Sequence, residues 1–242
     1  MKKTYVYSTV IIILIWIILA SLLDNAIILP SVYDVIKSMI KIVIDNEFYH
    51  IIFVSIIRTL VAVGISFLIA IVIATVSFFN SIFEDFFHII YVILKTIPTI
   101  AIMIICLLWF GREGSVIAIV FLVVFPIMYS NILYAYKHID RSLILNTKTY
   151  EDEFIIKLTR IYLPLIRSNL FESVKSTLSL GFKVTVMSEL LSQVTNGIGK
   201  ELYFAKINLL MSDIFAWTVI MVIISLTFDY ILGLLIRSFS NE

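Results

Sequence analysis

The feature that most constrains this chain is a series of long apolar runs that few charges interrupt. We read six, at about residues 6–23, 51–79, 87–110, 115–136, 165–191 and 214–236, each close to the roughly 20 residues a helix needs to cross a hydrocarbon layer. In hydrocarbon a backbone amide has no water to bond, so such runs must satisfy their hydrogen bonds internally, as helices. Composition agrees. Hydrophobic residues make up 61% of the chain and charged residues 14%, against about 25% charged in a soluble domain. So few charges cannot cover an aqueous surface, which excludes a soluble enzyme, and the same numbers exclude disorder. An outer-membrane barrel would show short alternating strands instead. The net charge of +1 offers no basic field for nucleic acid. The single cysteine, Cys106, lies inside an apolar run, so no disulfide can form within the chain. The first run is too long for a signal-peptide core and no small-x-small cleavage site follows it. The expectation is an all-α, polytopic membrane protein with about six transmembrane helices in a single domain, residues 1–242.

Lys and Arg set the orientation. With the N-terminus inside, the inner segments together with the inner end of the fifth run hold ten of them (Lys2, Lys3, Lys137, Arg141, Lys148, Lys157, Arg160, Arg167, Lys175, Arg237) and the outer segments five (Lys37, Lys41, Arg112, Lys200, Lys206). Both termini are therefore expected in the cytoplasm. A tight turn, Gly111-Arg112-Glu113-Gly114, joins the third and fourth runs, and residues 137–164 form the one long polar stretch on the inner side.

Catalytic and nucleotide-binding devices are missing. A phosphate-cradling loop needs G-x-x-x-x-G-K-[ST], and the nearest fragment, Gly199-Lys200-Glu201, lacks both ends of it. His50, His88 and His138 are far apart and no His-x-x-x-His pair exists, so they read as polar contacts at the membrane interface rather than metal ligands. No cofactor is expected. An intramembrane enzyme would need a catalytic pair within the spans, and a secondary transporter would show inverted repeats; neither pattern is found.

Charges inside spans are expensive and face a cavity or a partner. Glu189 sits near the outer end of the fifth run with Thr185 and Ser188, grouped by three- and four-residue spacing on one helix side. They read either as the wall of a translocation pathway or as a polar contact between helices. Lys183 lies six residues before Glu189, which turns it away from that side, so the two do not pair. Arg58 and Lys95 lie near span ends, where long cations snorkel. Pro98 is expected to break the third run.

Within residues 140–164, apolar Leu143, Ile144, Ile155, Ile156, Leu158 and Ile161 flank a polar stretch, 146–153. This reads as two short amphipathic helices around a turn, ending before Pro164. Loops of this length are usually functional, and a helix-turn-helix on the cytoplasmic face suits docking into a groove of a partner. Tyr150, aromatic and beside the turn, is the best anchor, and Glu151 can accept a charge-assisted hydrogen bond.

Several motifs then fall in order. Leu29-Pro30-Ser31, Lys95-Thr96-Ile97-Pro98, Leu108-Trp109-Phe110-Gly111, Val186-Met187-Ser188-Glu189-Leu190 and Gly197-Ile198-Gly199 resemble the LPS, RPIP, LWFG, AAE and GLG segments of bacterial ABC importer permeases of the nitrate/sulfonate/taurine type. Residues 140–164 align with that family's cytoplasmic loop, whose pattern is EAA, then Gly, then LP. Here Leu145-Asn146-Thr147 replaces EAA, Glu151 replaces Gly, and Leu163-Pro164 is kept. The resemblance implies a type I importer permease in the bacterial cell membrane. It also implies that Leu145, Asn146, Thr147, Tyr150, Glu151, Leu163 and Pro164 serve ATPase docking, and that the pathway includes Thr185, Ser188, Glu189 and Pro98. The implied partners are two ABC ATPase subunits that bind the ATP, a second permease copy giving a homodimer, and an extracellular substrate-binding protein or lipoprotein. The implied cargo is a small solute such as a sulfonate, nitrate or a vitamin precursor.

Overall fold

The structure, a computed structural model, describes residues 3–140 and 154–240. Helix α1 spans Lys3–Leu23, α2 Val32–Ile44, α3 Phe48–Phe79, α4 Ser81–Thr96 and α5 Thr99–Lys137. Short turns follow: α6 (Phe154–Lys157), a π-turn (Leu158–Tyr162) and α7 (Leu163–Leu165). Then come α8 (Arg167–Ser192), α9 (Ile198–Ile207) and α10 (Met211–Ser240). Among the described residues three helices are long and apolar enough to cross a membrane: Phe48–Phe79, Thr99–Lys137 and Met211–Leu234. The first run is a shorter apolar helix, Val10–Leu23, and α8 carries Arg167, Glu172, Lys175, Lys183 and Glu189 along an otherwise uncharged sequence.

Local chemistry explains where the helices stop. Ser31, the last residue of Leu29-Pro30-Ser31, caps α2 by accepting the Asp34 amide (3.1 Å), which satisfies one of the donors a helix start leaves free. Asn80 ends α3 and caps α4 by accepting the Phe83 amide (3.1 Å). Pro98 has no amide to give back to Leu94 and disfavours a helical residue before it, so the third run divides into α4 and the start of α5, with Ile97 extended between them (ψ 129°). The expected single span at 87–110 is thus two helical pieces. Gly111 takes φ 69°, ψ −172°, a conformation that costs glycine little, and breaks α5 there. Residues 99–110 then fold back along 112–137, since Thr99 and Ile102 line the same cavity as Val123 and Pro126. The expected four-residue turn needs only this one residue.

The core sits where α3, α5 and α8 meet. The α3 side of that contact is a stripe of small buried residues at helical spacing, Ser55, Thr59, Ala62, Ser66, Ala70 and Ala74, which lets backbones approach closely where the hydrophobic effect gives no drive. Gly181 of α8 seats in this stripe: a Cβ there would lie 2.7 Å from Val63 Cγ2 and 3.6 Å from Val124 Cγ2. At one end of the core the hydroxyls of Tyr136 and Tyr129 bond those of Thr75 (2.9 Å) and Ser77 (3.1 Å), so both of these buried phenols are paired.

Candidate functional site

Helix α8 carries two polar stripes on opposite sides. The buried stripe holds Ser173, Thr177, Thr185, Ser188 and Glu189. The exposed one holds Asn169, Glu172, Ser176 and Lys183, separated by three, four and seven residues and hence on one face. The two stripes do different things.

The buried stripe ends in a carboxylate clamp. Glu189 is fully buried and accepts hydrogen bonds from Ser55 Oγ (2.8 Å), Arg58 Nη1 (2.8 Å) and the Gly199 amide (3.0 Å). Ser55 Oγ in turn accepts the Ile198 amide (2.9 Å). Arg58 also donates to the Asn196 carbonyl (2.6 Å) and, through Nη2, to Glu113. Glu113 Oε1 accepts both the amide and the hydroxyl of Thr195 (2.8 Å each). Arg58 thus sits between two carboxylates, and the chain from Thr195 to Gly199 is held to α3, α5 and α8 at once. A charge buried this deeply persists only when paired and hydrogen-bonded, and each oxygen here is.

The glycines make the clamp possible. At Gly197 (φ 130°) a Cβ would stand 2.7 Å from Glu189 Oε1, and at Gly199 it would stand 2.3 Å from Glu189 Cβ and 2.4 Å from the Leu190 amide nitrogen. The Gly197-Ile198-Gly199 and Ser188-Glu189-Leu190 motifs therefore touch.

Thr185, Ser188 and Glu189 lie in the interior of one chain, not on an open surface. The Thr185 and Thr59 hydroxyls are 2.9 Å apart, Thr185 donates to the Gly181 carbonyl (2.9 Å) and Ser188 to the Thr185 carbonyl (2.8 Å). Thr185 and Glu189 thereby join α8 to α3 through Thr59, Ser55 and Arg58. Arg58 does not snorkel: it is the partner of Glu189 from 131 residues away. The signal for this was present, since Arg58 and Glu189 are opposite charges in two spans, each needing a partner; Glu113, Thr195 and Asn196 carried no such mark. Leu163 and Pro164 lie in α7, while Leu145, Asn146, Thr147, Tyr150 and Glu151 fall outside the described residues.

The exposed stripe faces open space. Asn169, Glu172 and Ser176 join Asn131 and Tyr134 of α5 around a cavity of about 350 Å³. A second cavity of about 340 Å³ lies on the other flank of α5, at the break between α4 and α5, lined by Tyr91, Lys95, Ile97, Thr99, Pro126 and Ser130. Pro98 is exposed there. Non-helical backbone at membrane depth survives only where protein or a water-filled cavity covers it. A polar, concave face built on α5, flanked by the broken helix and by α8, can pass a polar solute; it holds no grouping suited to bond chemistry. Among the described residues no cluster of three or more His, Cys, Asp or Glu could hold a metal ion.

The fold is shared with a known transporter. A solved structure described as inward-facing conformations of the MetNI methionine ABC transporter contains a chain 14% identical in sequence, with a TM-score of 0.64 over 81% of this chain and 99% of that one. No curated protein matches the chain in sequence. The family of binding-protein-dependent transport system inner membrane components matches residues 66–241, from the second half of the small-residue stripe of α3 through both polar stripes of α8; Ser55 and Arg58 of the clamp lie before it. The chain belongs to that family: it is a multi-pass permease subunit of a binding-protein-dependent ABC importer, a transport component rather than an enzyme.

Proposed function

We propose that two copies of this chain line one solute path at their shared interface, and that ATP hydrolysis by two docked ABC ATPases drives it. The observation that carries this reading is the open polar face of α5 and α8 beside the helix break at Ile97-Pro98. A second copy laid on that face would enclose a water-filled channel, as polar side chains and broken helices in a membrane require. In this reading Pro98 contributes to the path, and Thr185, Ser188 and Glu189 brace it from behind. The substrate-binding protein delivers a small solute to the side that carries α2 and α9; the family resemblance sets that solute among sulfonates, nitrate and vitamin precursors. Both termini are cytoplasmic. In an otherwise cysteine-free background, Lys200→Cys should label with an impermeant reagent from outside and Lys148→Cys only from inside, as the Lys and Arg asymmetry requires. Labelling of both from one side would refute this orientation.

The ATPase docks at residues 143–157, with Tyr150 as anchor and Glu151 bonded to a basic group of the groove. A docking helix end is small, so a few side chains dominate its energetics. Tyr150→Ala should cost about 2 kcal/mol of docking, roughly a thirtyfold loss of affinity, and Glu151→Lys should weaken the complex by charge reversal. Co-purification of the ATPase with wild-type and variant permease measures this. Equal recovery in all three would make the segment a passive connector and place docking elsewhere, for example at residues 80–86.

A further inference from the structure

A cavity of about 220 Å³ opens where α2 ends and α3 and α10 begin, with α9 as its remaining wall. Its floor is aromatic: Phe48 and Trp217, 9% and 4% exposed, stack with ring centroids 6.1 Å apart. Around them stand three carboxylates, Asp45, Glu201 and Asp213, against one cation, Lys41. Helix α2 ends here with Asp45 as its cap, which adds the partial negative charge of a helix C-terminus. Asp213 accepts from Ser38 Oγ (2.6 Å) and Asp45 from the Glu47 amide (2.9 Å). Neither makes an ion pair among the described residues, and Glu201 meets only its neighbour Lys200 (3.4 Å). The indole N–H of Trp217 distinguishes this place from a solvated acidic edge. A donor on so buried a side chain is normally bonded, yet this one donates to nothing among the described residues. It keeps access to solvent, and Trp217 lines this cavity.

We infer that this cavity receives a basic side chain, arginine or lysine, of the substrate-binding protein. The inference rests on the proposed placement of that protein on the side of α2 and α9, and it names the contact. Three carboxylates and a helix C-terminus attract a cation, and the stacked rings offer it a face. A guanidinium suits both, since its planar fork pairs with carboxylates and lies flat on aromatic rings. The Trp217 N–H then donates to a main-chain carbonyl beside the inserted residue. The volume fits one side chain better than a free ligand, because small-molecule sites run to about 300–1,000 Å³. Glu201 is two residues from Gly199, whose amide bonds Glu189, so the contact falls on the helix that the clamp fastens to α8.

The test uses the permease, grown with fluorotryptophan and assembled with its ATPase in lipid nanodiscs, and the unlabelled substrate-binding protein of the same transporter. Trp217→Phe identifies the fluorine resonance of Trp217. Adding the binding protein should shift that resonance. Asp45→Asn combined with Glu201→Gln should lower the affinity about tenfold and flatten its dependence on salt, while Asp45→Glu combined with Glu201→Asp should keep both. This last pair separates charge from folding. A binding protein that associates equally with all variants and leaves the Trp217 resonance in place would overturn the cavity contact and leave docking itself intact. No association with the wild-type assembly would overturn the docking. A Trp217 resonance that differs between phosphatidylethanolamine and phosphatidylglycerol nanodiscs, and does not move when the binding protein is added, would give the cavity to a lipid headgroup and overturn the inference.

Discussion

Arg58→Ala is expected to lower the stability of the folded chain by about 3–5 kcal/mol, the range for removing one partner of a buried ion pair. The reason is asymmetric. Glu189 is wholly buried and keeps its bonds from Ser55 and Gly199, but it loses the cation paired with it, and the Asn196 carbonyl loses its donor. Thermal unfolding of the detergent-solubilised protein measures the effect. Adding Glu189→Gln and making the first change Arg58→Met should recover more than half of the loss, because the uncompensated charge is gone while an amide oxygen still accepts from Gly199. A double variant no more stable than the single one would show that packing around the guanidinium, not charge, holds the clamp.

Gly199→Ala is expected to be comparably damaging, at about 3 kcal/mol or more. The added methyl would meet Glu189 Cβ at 2.3 Å, the Leu190 nitrogen at 2.4 Å and the Glu189 carbonyl carbon at 2.7 Å. Two of these are backbone atoms, so no rotamer change makes room and the loop from Val194 to Gly199 must lift from α8. Gly64→Ala is the internal control: nothing lies within 4 Å of its Cβ position and it sits inside α3, so it should be neutral or stabilising by about 0.5–1 kcal/mol. Unfolding midpoints of the two variants should therefore move in opposite directions or differ by the whole Gly199 effect. A tolerated Gly199→Ala would mean that α9 is not pressed against α8 as closely as the clamp requires.

Reading the sequence alone located most of the helices and misjudged the charge of Arg58. The runs that became α3 and α10 needed only length and apolarity to be recognised. Pro98 was legible as a break because proline lacks an amide wherever it stands. The Gly197-Ile198-Gly199 motif was visible as a pattern but not as a reason, since the reason is the volume of Glu189. Arg58 and Lys95 looked alike, as cations near span ends. They differ because Arg58 faces two carboxylates and Lys95 faces a cavity, which no count of neighbours along the chain can reveal.

That division has a physical basis. Transfer into hydrocarbon is a property of each segment by itself, so the sequence determined by composition and length that this chain crosses a membrane as helices, and proline and glycine determined locally where helices stop. Pairing is a property of two segments and depends on how each helix is rotated about its axis when the small residues of α3 meet Gly181 of α8. Only the tertiary structure decided that one polar stripe of α8 turns inward to bind Arg58 and the other outward to the open face. At 100° per residue, a rotation of half a turn would have exchanged them without altering a single residue.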